Sequence, residues 1–549
     1  MLTVIFLSAI ALFVLAYLFY GRFLQKRFGL DNNRSTPSHT DYDGVDRVPA
    51  KVPILLGHHF SSIAGAGPIV GPIIAATAFG WLPTLLWVLI GAVFIGGVHD
   101  FSALVASIRH KARSIAEVAR EHMSPLAYKL FLCFIWLALV YVLTVFADLT
   151  ATTFVQDGAV ATSSILFVAL AVGFGAFVYR LKVPILWSSL IFVPLVFVAV
   201  WVGQLIPIPA DVIPRLIGGD PAKTWDLLLI LYCFLASTTP VWILLQPRDY
   251  LSSYLLYASV LGGFVGILFG GLAVQFPAFK AWNAPSLGGT LFPILFITVA
   301  CGACSGFHAV VASGTTSKQL NKETDARAVG YGAMLIEGLV AVIALATVIM
   351  LAGTDSLVGK QPLQIYGTGM GRFLSVFGLP PKIGFSFGVL ALSTFILTTL
   401  DTATRLGRYI FEEFLGLKAA KSRYLSTLAT LVLPAVFVLI TLRDPQGNPL
   451  PAWRVIWPVF GATNQLLAGL TLLAILVWLR KEGKKTGFLL LPMVFMVVMT
   501  VWALVLLVGQ YKLSTIGLIA LALLLLALLL IWEAFRTLAF GRRSAGSNG

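Results

Sequence analysis

Fifteen apolar runs, each about as long as a bilayer is thick, fill most of this chain and decide what it can fold into. They lie at 2–20, 53–79, 83–108, 126–149, 160–179, 184–206, 225–246, 252–275, 289–313, 328–352, 383–404, 424–442, 458–479, 487–508 and 514–533. Only helices and closed barrels satisfy every backbone group in lipid, and runs of this length read as helices. The 549 residues are 58% hydrophobic and 11% charged. A water-facing domain normally carries about 25% charge, so a soluble enzyme is excluded, as are disorder and collagen-like repeats. The expected fold class is an all-α polytopic membrane protein with about 15 transmembrane helices. The longest loops, 21–52 and 353–382, are too short for a soluble domain. The first run has no basic n-region and no small-residue cleavage site, so it reads as a retained span.

The net charge of +15 is a topology signal rather than a nucleic-acid footprint. With the N-terminus outside and the spans alternating, 29 Lys and Arg fall on the inner side and nine on the outer, as the positive-inside rule requires. The C-terminus is then cytoplasmic. All four cysteines lie within apolar runs, against a disulfide framework.

Two runs carry helix breakers near mid-length. The second reads Ser61-Ser62-Ile63-Ala64-Gly65-Ala66-Gly67-Pro68, and the seventh Ala236-Ser237-Thr238-Thr239-Pro240. Proline suits the first turn of a helix, so Pro68 and Pro240 are each expected to start the second half of a broken span. The two runs are five apart and so oppositely directed, the arithmetic of two inverted five-helix repeats. Broken helices at matching positions mark a transporter's midplane site; the plain alternative is a Pro/Gly kink. The expected division is an extra helix at 1–20, repeats at 53–206 and 225–404, extra helices at 424–533 and a cytoplasmic tail at 534–549. Half-helix N-termini meeting at midplane carry partial positive charge and free N–H groups. They predict an anionic substrate group such as a small carboxylate or a peptide C-terminus. Ser61, Ser62, Gly65, Gly67, Ser237, Thr238 and Thr239 are the candidate substrate-binding residues.

Ionisable residues inside a membrane are functional candidates by default. His58, His59, His99, Asp100, His308 and Glu337 form the candidate proton path, since histidine titrates near neutral pH. The alternative is that they join helices or sit at the inner interface. A metal site of His59, His99, Cys304 and His308 is a weaker reading, for these are ligands that zinc accepts. Asp401 and Arg405, spaced i,i+4, read as an interfacial ion pair. Asn464 and Gln465 read as helix-joining groups, and Tyr141 and Asp148 as possible cavity residues. There is no P-loop, nucleophile elbow or dinucleotide fingerprint, and no cofactor is implied.

These residues resemble the carbon starvation protein A (CstA) family of bacterial inner-membrane transporters. The resemblance rests on Gly57-His58-His59-Phe60 with Ala64-Gly65-Ala66-Gly67-Pro68, on Gln246-Pro247-Arg248-Asp249-Tyr250, and on Ser305-Gly306-Phe307-His308. It extends to Asp325-Ala326-Arg327, Gly330-Tyr331-Gly332-Ala333-Met334, Glu337-Gly338, Asp401-Thr402-Ala403-Thr404-Arg405 and Phe460-Gly461 before Asn464-Gln465-Leu466-Leu467. It implies peptide uptake during carbon limitation, pyruvate uptake by proton symport in some members, and the inverted five-plus-five (leucine-transporter-type, APC superfamily) fold. This chain departs from the long members in having His99 before the aspartate of its third run, in carrying Cys304, and in being shorter at the C-terminus. The expected activity is secondary active transport of peptides or pyruvate with protons as partner, not enzyme catalysis. A passive channel for small carboxylates and a zinc-dependent membrane enzyme are the alternatives.

Overall fold

The computed structural model describes residues 1–540 apart from 44–46, 211, 214–218, 241–242, 418–421 and 442–449. Of the basic residues counted above, Arg215, Lys418, Lys421, Arg443, Arg542 and Arg543 lie outside the described residues.

The chain is helical almost throughout, and its helices follow the apolar runs in order. They are α1 (Leu2–Phe28), α2 (Val52–Ile63), α3 (Gly67–Phe79), α4 (Trp81–Arg109), α5 (Ile115–His122), α6 (Pro125–Gln156), α7 (Gly158–Arg180), α8 (Ile185–Leu205), α9 (Pro221–Thr238) and α10 (Leu245–Phe269). Then come α11 (Leu291–Thr298), α12 (Gly306–Gly314), α13 (Glu323–Ile349), α14 (Pro362–Leu374), α15 (Pro381–Leu415), α16 (Ser422–Leu439), α17 (Ala452–Lys481), α18 (Gly487–Tyr511) and α19 (Thr515–Phe540). Starts are marked by caps and prolines. Ser124 accepts from Ala127 N at 3.0 Å ahead of Pro125, and Asp220 accepts from Ala222 N at 2.9 Å ahead of Pro221, each satisfying a first-turn donor.

Among the described residues twelve helices are long and apolar enough to cross a membrane, and the α2–α3 pair, bent by 47°, makes a thirteenth when counted as one span. The protein is thus a multi-pass membrane protein. The remaining two of the expected fifteen runs correspond to α9, with 18 residues, and to the short helices α11 and α12; neither passes on length and apolarity.

The second run breaks as its sequence predicts. α2 ends at Ile63, and Pro68 sits in the first turn of α3. The seventh run does not break at mid-length. α9 continues through Ser237 and stops at Thr238, and α10 begins at Leu245. A residue before proline is driven from helical to extended backbone, and Thr239, at ψ 146°, obeys; here proline marks the end of a span.

A second interruption lies in the ninth run. α11 stops at Thr298, α12 starts at Gly306, and Gly302 between them takes the left-handed φ of 84°, which glycine adopts at no cost. The two breaks lie directly on one another. A Cβ at Gly67 would meet Cys301 Cβ and Sγ at 2.4 Å, and one at Gly302 would meet Pro68 Cα at 3.3 Å. Small residues permit such close helix approach within membranes. The second and ninth runs are seven apart, so alternating spans still run them in opposite directions.

Around the paired breaks pack α13, against α3, and α17, against both α11 and α12. α6 and α15 pack on each other, and Phe146 and Thr399, one from each, approach Gly65. The outer helices expose apolar side chains such as Leu190, Leu491 and Trp532, as a lipid-facing surface does.

Candidate functional site

Each break leaves four helix-end C=O and four N–H groups in need of partners, and α17 supplies partners at the break between α11 and α12. Asn464 Oδ1 accepts from Phe307 N at 2.9 Å, in the first turn of α12, and Asn464 Nδ2 donates to Ser305 Oγ at 3.0 Å. Gln465 Nε2 donates to Phe296 O and Ala300 O at 3.0 and 3.1 Å, at the end of α11. Adjacent side chains on one helix thus brace both ends of the interrupted span. Sequence reasoning placed them merely between helices; the signal was an Asn-Gln pair in an otherwise apolar run.

Beside the break lies a small cavity of about 10 Å3, lined by Gly65, Gly67, Cys301, Thr399 and Asn464 among others. That is room for about one water. Ser61 and Ser62 both donate to His58 O, at 3.1 and 2.8 Å, so their hydroxyls retain only acceptor capacity. The expected partners across the site, Ser237, Thr238 and Thr239, are not there. They end α9, which packs on α6, α15 and α16. Thr238 and Thr239 donate to Phe234 O and Leu235 O at 2.9 and 2.6 Å, and Ser237 Oγ pairs with Thr427 Oγ1 at 3.2 Å.

The titratable residues do converge. His99 and Asp100 follow a π-helical segment, Ala92–Gly96, in α4, and Glu337 follows another, Arg327–Gly332, in α13; such bulges recur at functional sites. His308 sits in the first turn of α12. Asp100 Oδ1 lies 2.7 Å from His99 Nδ1, and Asp100 Oδ2 lies 2.7 Å from His308 Nδ1. His308 Nε2 stands 3.2 Å from Glu337 Oε2, and Glu337 Oε1 accepts from Gly302 N at 3.2 Å. All four side chains are fully buried. An ionised carboxylate only accepts, so an ionised Asp100 requires a hydrogen on Nδ1 of both histidines. His308 Nε2 and Glu337 Oε2 face each other across 3.2 Å without hydrogen-bond geometry between them. A proton bound at Glu337 changes the charge of the carboxylate that holds the backbone of the break.

His59 and His58 stand apart from this chain of contacts. His59 Nδ1 lies 2.8 Å from Thr316 Oγ1, and His58 Nδ1 lies 3.5 Å from Asp249 Oδ2. The metal reading of His59, His99, Cys304 and His308 fails on geometry. Among the described residues these four form no group of converging ligand atoms, because both nitrogens of His308 face carboxylates. The Asp401–Arg405 pair is also corrected. Asp401 is bound by Arg248 of α10 and by Tyr232 of α9 at 2.9 Å. Arg405 instead donates to Ala236 O and Thr239 O at 2.8 and 2.9 Å, closing the end of α9. Asp148 accepts from Trp453 N at 2.7 Å, capping α17.

The carbon starvation protein CstA family matches at residues 1–358 and 353–503. The chain belongs to this family. A relative from Campylobacter jejuni, named peptide transporter CstA, is 32% identical over 90% of this chain and 78% of its own length. The pyruvate/proton symporter BtsT of Escherichia coli is 33% identical over 91% and 81%. Among solved structures the chain is similar to a manganese transporter of Eremococcus coleocola at 14% identity, with a TM-score of 0.44 over 91% of this chain and 99% of that one.

Proposed function

We propose that this protein is a proton-coupled secondary transporter that takes up pyruvate or short peptides across the bacterial inner membrane, with its N-terminus outside and its C-terminus in the cytoplasm. The observation that carries this reading is the contact from the buried relay to the substrate platform. Glu337 faces His308 through one oxygen and holds the Gly302 N–H through the other. Family relatives named for peptide transport and pyruvate/proton symport support the cargo.

In this reading the substrate carboxylate binds between the breaks at 64–66 and 299–305, near Ser61, Ser62, Gly65 and Gly67 and the N-termini of α3 and α12. Asp100 stays charged and orients His99 and His308. A proton arriving at His308 passes to Glu337, weakens its grip on Gly302 N, and loosens the connection between α11 and α12. The small cavity of about 10 Å3 must widen for a substrate to enter, which fits alternating access. The inverted repeats are then 52–205 and 291–481, with α9 and α10 inserted between them and α1, α18 and α19 outside.

The test is uptake of pyruvate and of a dipeptide into proteoliposomes, with and without an inward proton gradient, for wild type and His308→Ala. Accumulation that requires the gradient and disappears in the variant supports the reading. Wild-type uptake indifferent to the gradient rejects proton coupling, and gradient-driven uptake unchanged in His308→Ala removes His308 from the path.

A further inference from the structure

The bundle end that carries the basic loops holds a second cluster of titratable groups, separate from the buried relay. His110 caps α4, and His122 is the last residue of α5. Their Nε2 atoms face each other at 2.8 Å. Glu121 brings a carboxylate, and one ligand atom from each of the three side chains lies within 4.8 Å of the others. They open onto a cleft of about 620 Å3 that Trp478 and Glu482 also line.

Three features fit a ligand set. His110 Nδ1 lies 2.6 Å from Ala106 O. A carbonyl only accepts, so Nδ1 carries the hydrogen and Nε2 presents its lone pair; metal-binding imidazoles are oriented by this kind of outer hydrogen bond. Directly after His110, Lys111 and Ala112 both adopt left-handed backbone, with φ of 59° and 52°. L side chains rarely adopt this conformation, and the pair turns the chain sharply from α4 toward α5. Lastly, three of the nearby cations are engaged by other carboxylates, while Lys111 and Arg113 also line the cleft. Arg109 binds Glu323 at 3.0 Å, Arg120 binds Glu117 at 3.2 Å, and Lys484 binds Glu482 at 2.7 Å.

We propose that His110, Glu121 and His122 form a binding site for a first-row divalent cation of the zinc type, with its remaining position open to the cleft. Two imidazoles, one carboxylate and an open position are a donor set that zinc accepts. Two nitrogens on one tetrahedral zinc stand about 3.3 Å apart. His122, only partly buried at the end of α5, needs to give by a fraction of an ångström. A cation here fastens α5 to the end of α4, the helix that carries His99 and Asp100.

The test titrates Co2+ into the purified full-length protein in detergent. The expected result is a tetrahedral ligand-field band in the visible that saturates at one ion per chain and is displaced by Zn2+. His122→Gln and Glu121→Gln are each expected to weaken binding more than about tenfold, since even outer-shell changes cost that much. His39→Gln, at an exposed histidine outside the cluster, leaves the band unchanged. The exposed Glu121 makes the second variant safe to fold. A wild type without a stoichiometric band, or a band indifferent to both cluster variants, overturns the proposal and leaves a hydrogen-bonded imidazole pair.

Discussion

Arg248→Met is expected to destabilise the protein by about 3–5 kcal/mol, the usual consequence of leaving one member of a buried ion pair without its partner. Arg248 is fully buried and Asp401 is 1% exposed, so water cannot replace the lost guanidinium. The remaining partner of Asp401 is the Tyr232 hydroxyl at 2.9 Å, a single neutral donor. The measurement is the midpoint of thermal unfolding of the purified protein in detergent. The double variant Arg248→Met/Asp401→Leu is expected to recover most of the loss, because apolar replacement of a whole buried pair is often neutral or stabilising. A double variant as unstable as the single one would assign the loss to packing rather than to the stranded charge.

The second large effect falls on coupling. Asp100→Asn is expected to abolish gradient-driven accumulation while the protein still folds and inserts. Asp100 offers one oxygen to each of two histidine Nδ1 atoms at 2.7 Å. Asparagine keeps the shape but has one oxygen and one NH2 group, so one histidine must change tautomer or lose its partner. The charge that stabilises a protonated His308 is also gone. Proteoliposome uptake with and without the gradient reads this directly. Accumulation within about twofold of wild type would mean that Asp100 only joins helices, the ordinary alternative for a buried polar residue.

Much of the architecture is legible in the sequence because lipid imposes simple rules. Most of the long helices follow the apolar runs, and the break before Pro68 follows from Gly65, Gly67 and the proline itself. The cluster of His99, Asp100, His308 and Glu337 is legible for the same reason, since ionisable groups buried in a membrane are rarely idle. The second interruption is harder to read, because proline marks helix ends as well as helix starts. Thr239-Pro240 closes α9, whereas the true interruption at 299–305 contains no proline and depends on the left-handed Gly302. Partners distant in sequence were equally invisible. The i,i+4 spacing of Asp401 and Arg405 suggested a pair, yet Arg248, 153 residues away, reaches Asp401 and leaves Arg405 to the carbonyls of α9. No local pattern announces such a choice, because it is made by packing among α9, α10 and α15.

The seating of Cys301 against Gly67 has a practical consequence. The Cys301 thiol is buried in the contact between the two breaks, so a maleimide reaches it only when α3 and the loop after α11 draw apart. Of the other three thiols, Cys233 and Cys304 are wholly buried at 0% exposure, and Cys133 is only partly so. In a variant lacking Cys133, the alkylation rate of Cys301 becomes a native clock for the opening of the carrier. Substrate, proton gradient and lipid composition can then each be scored by how often they let that thiol be seen.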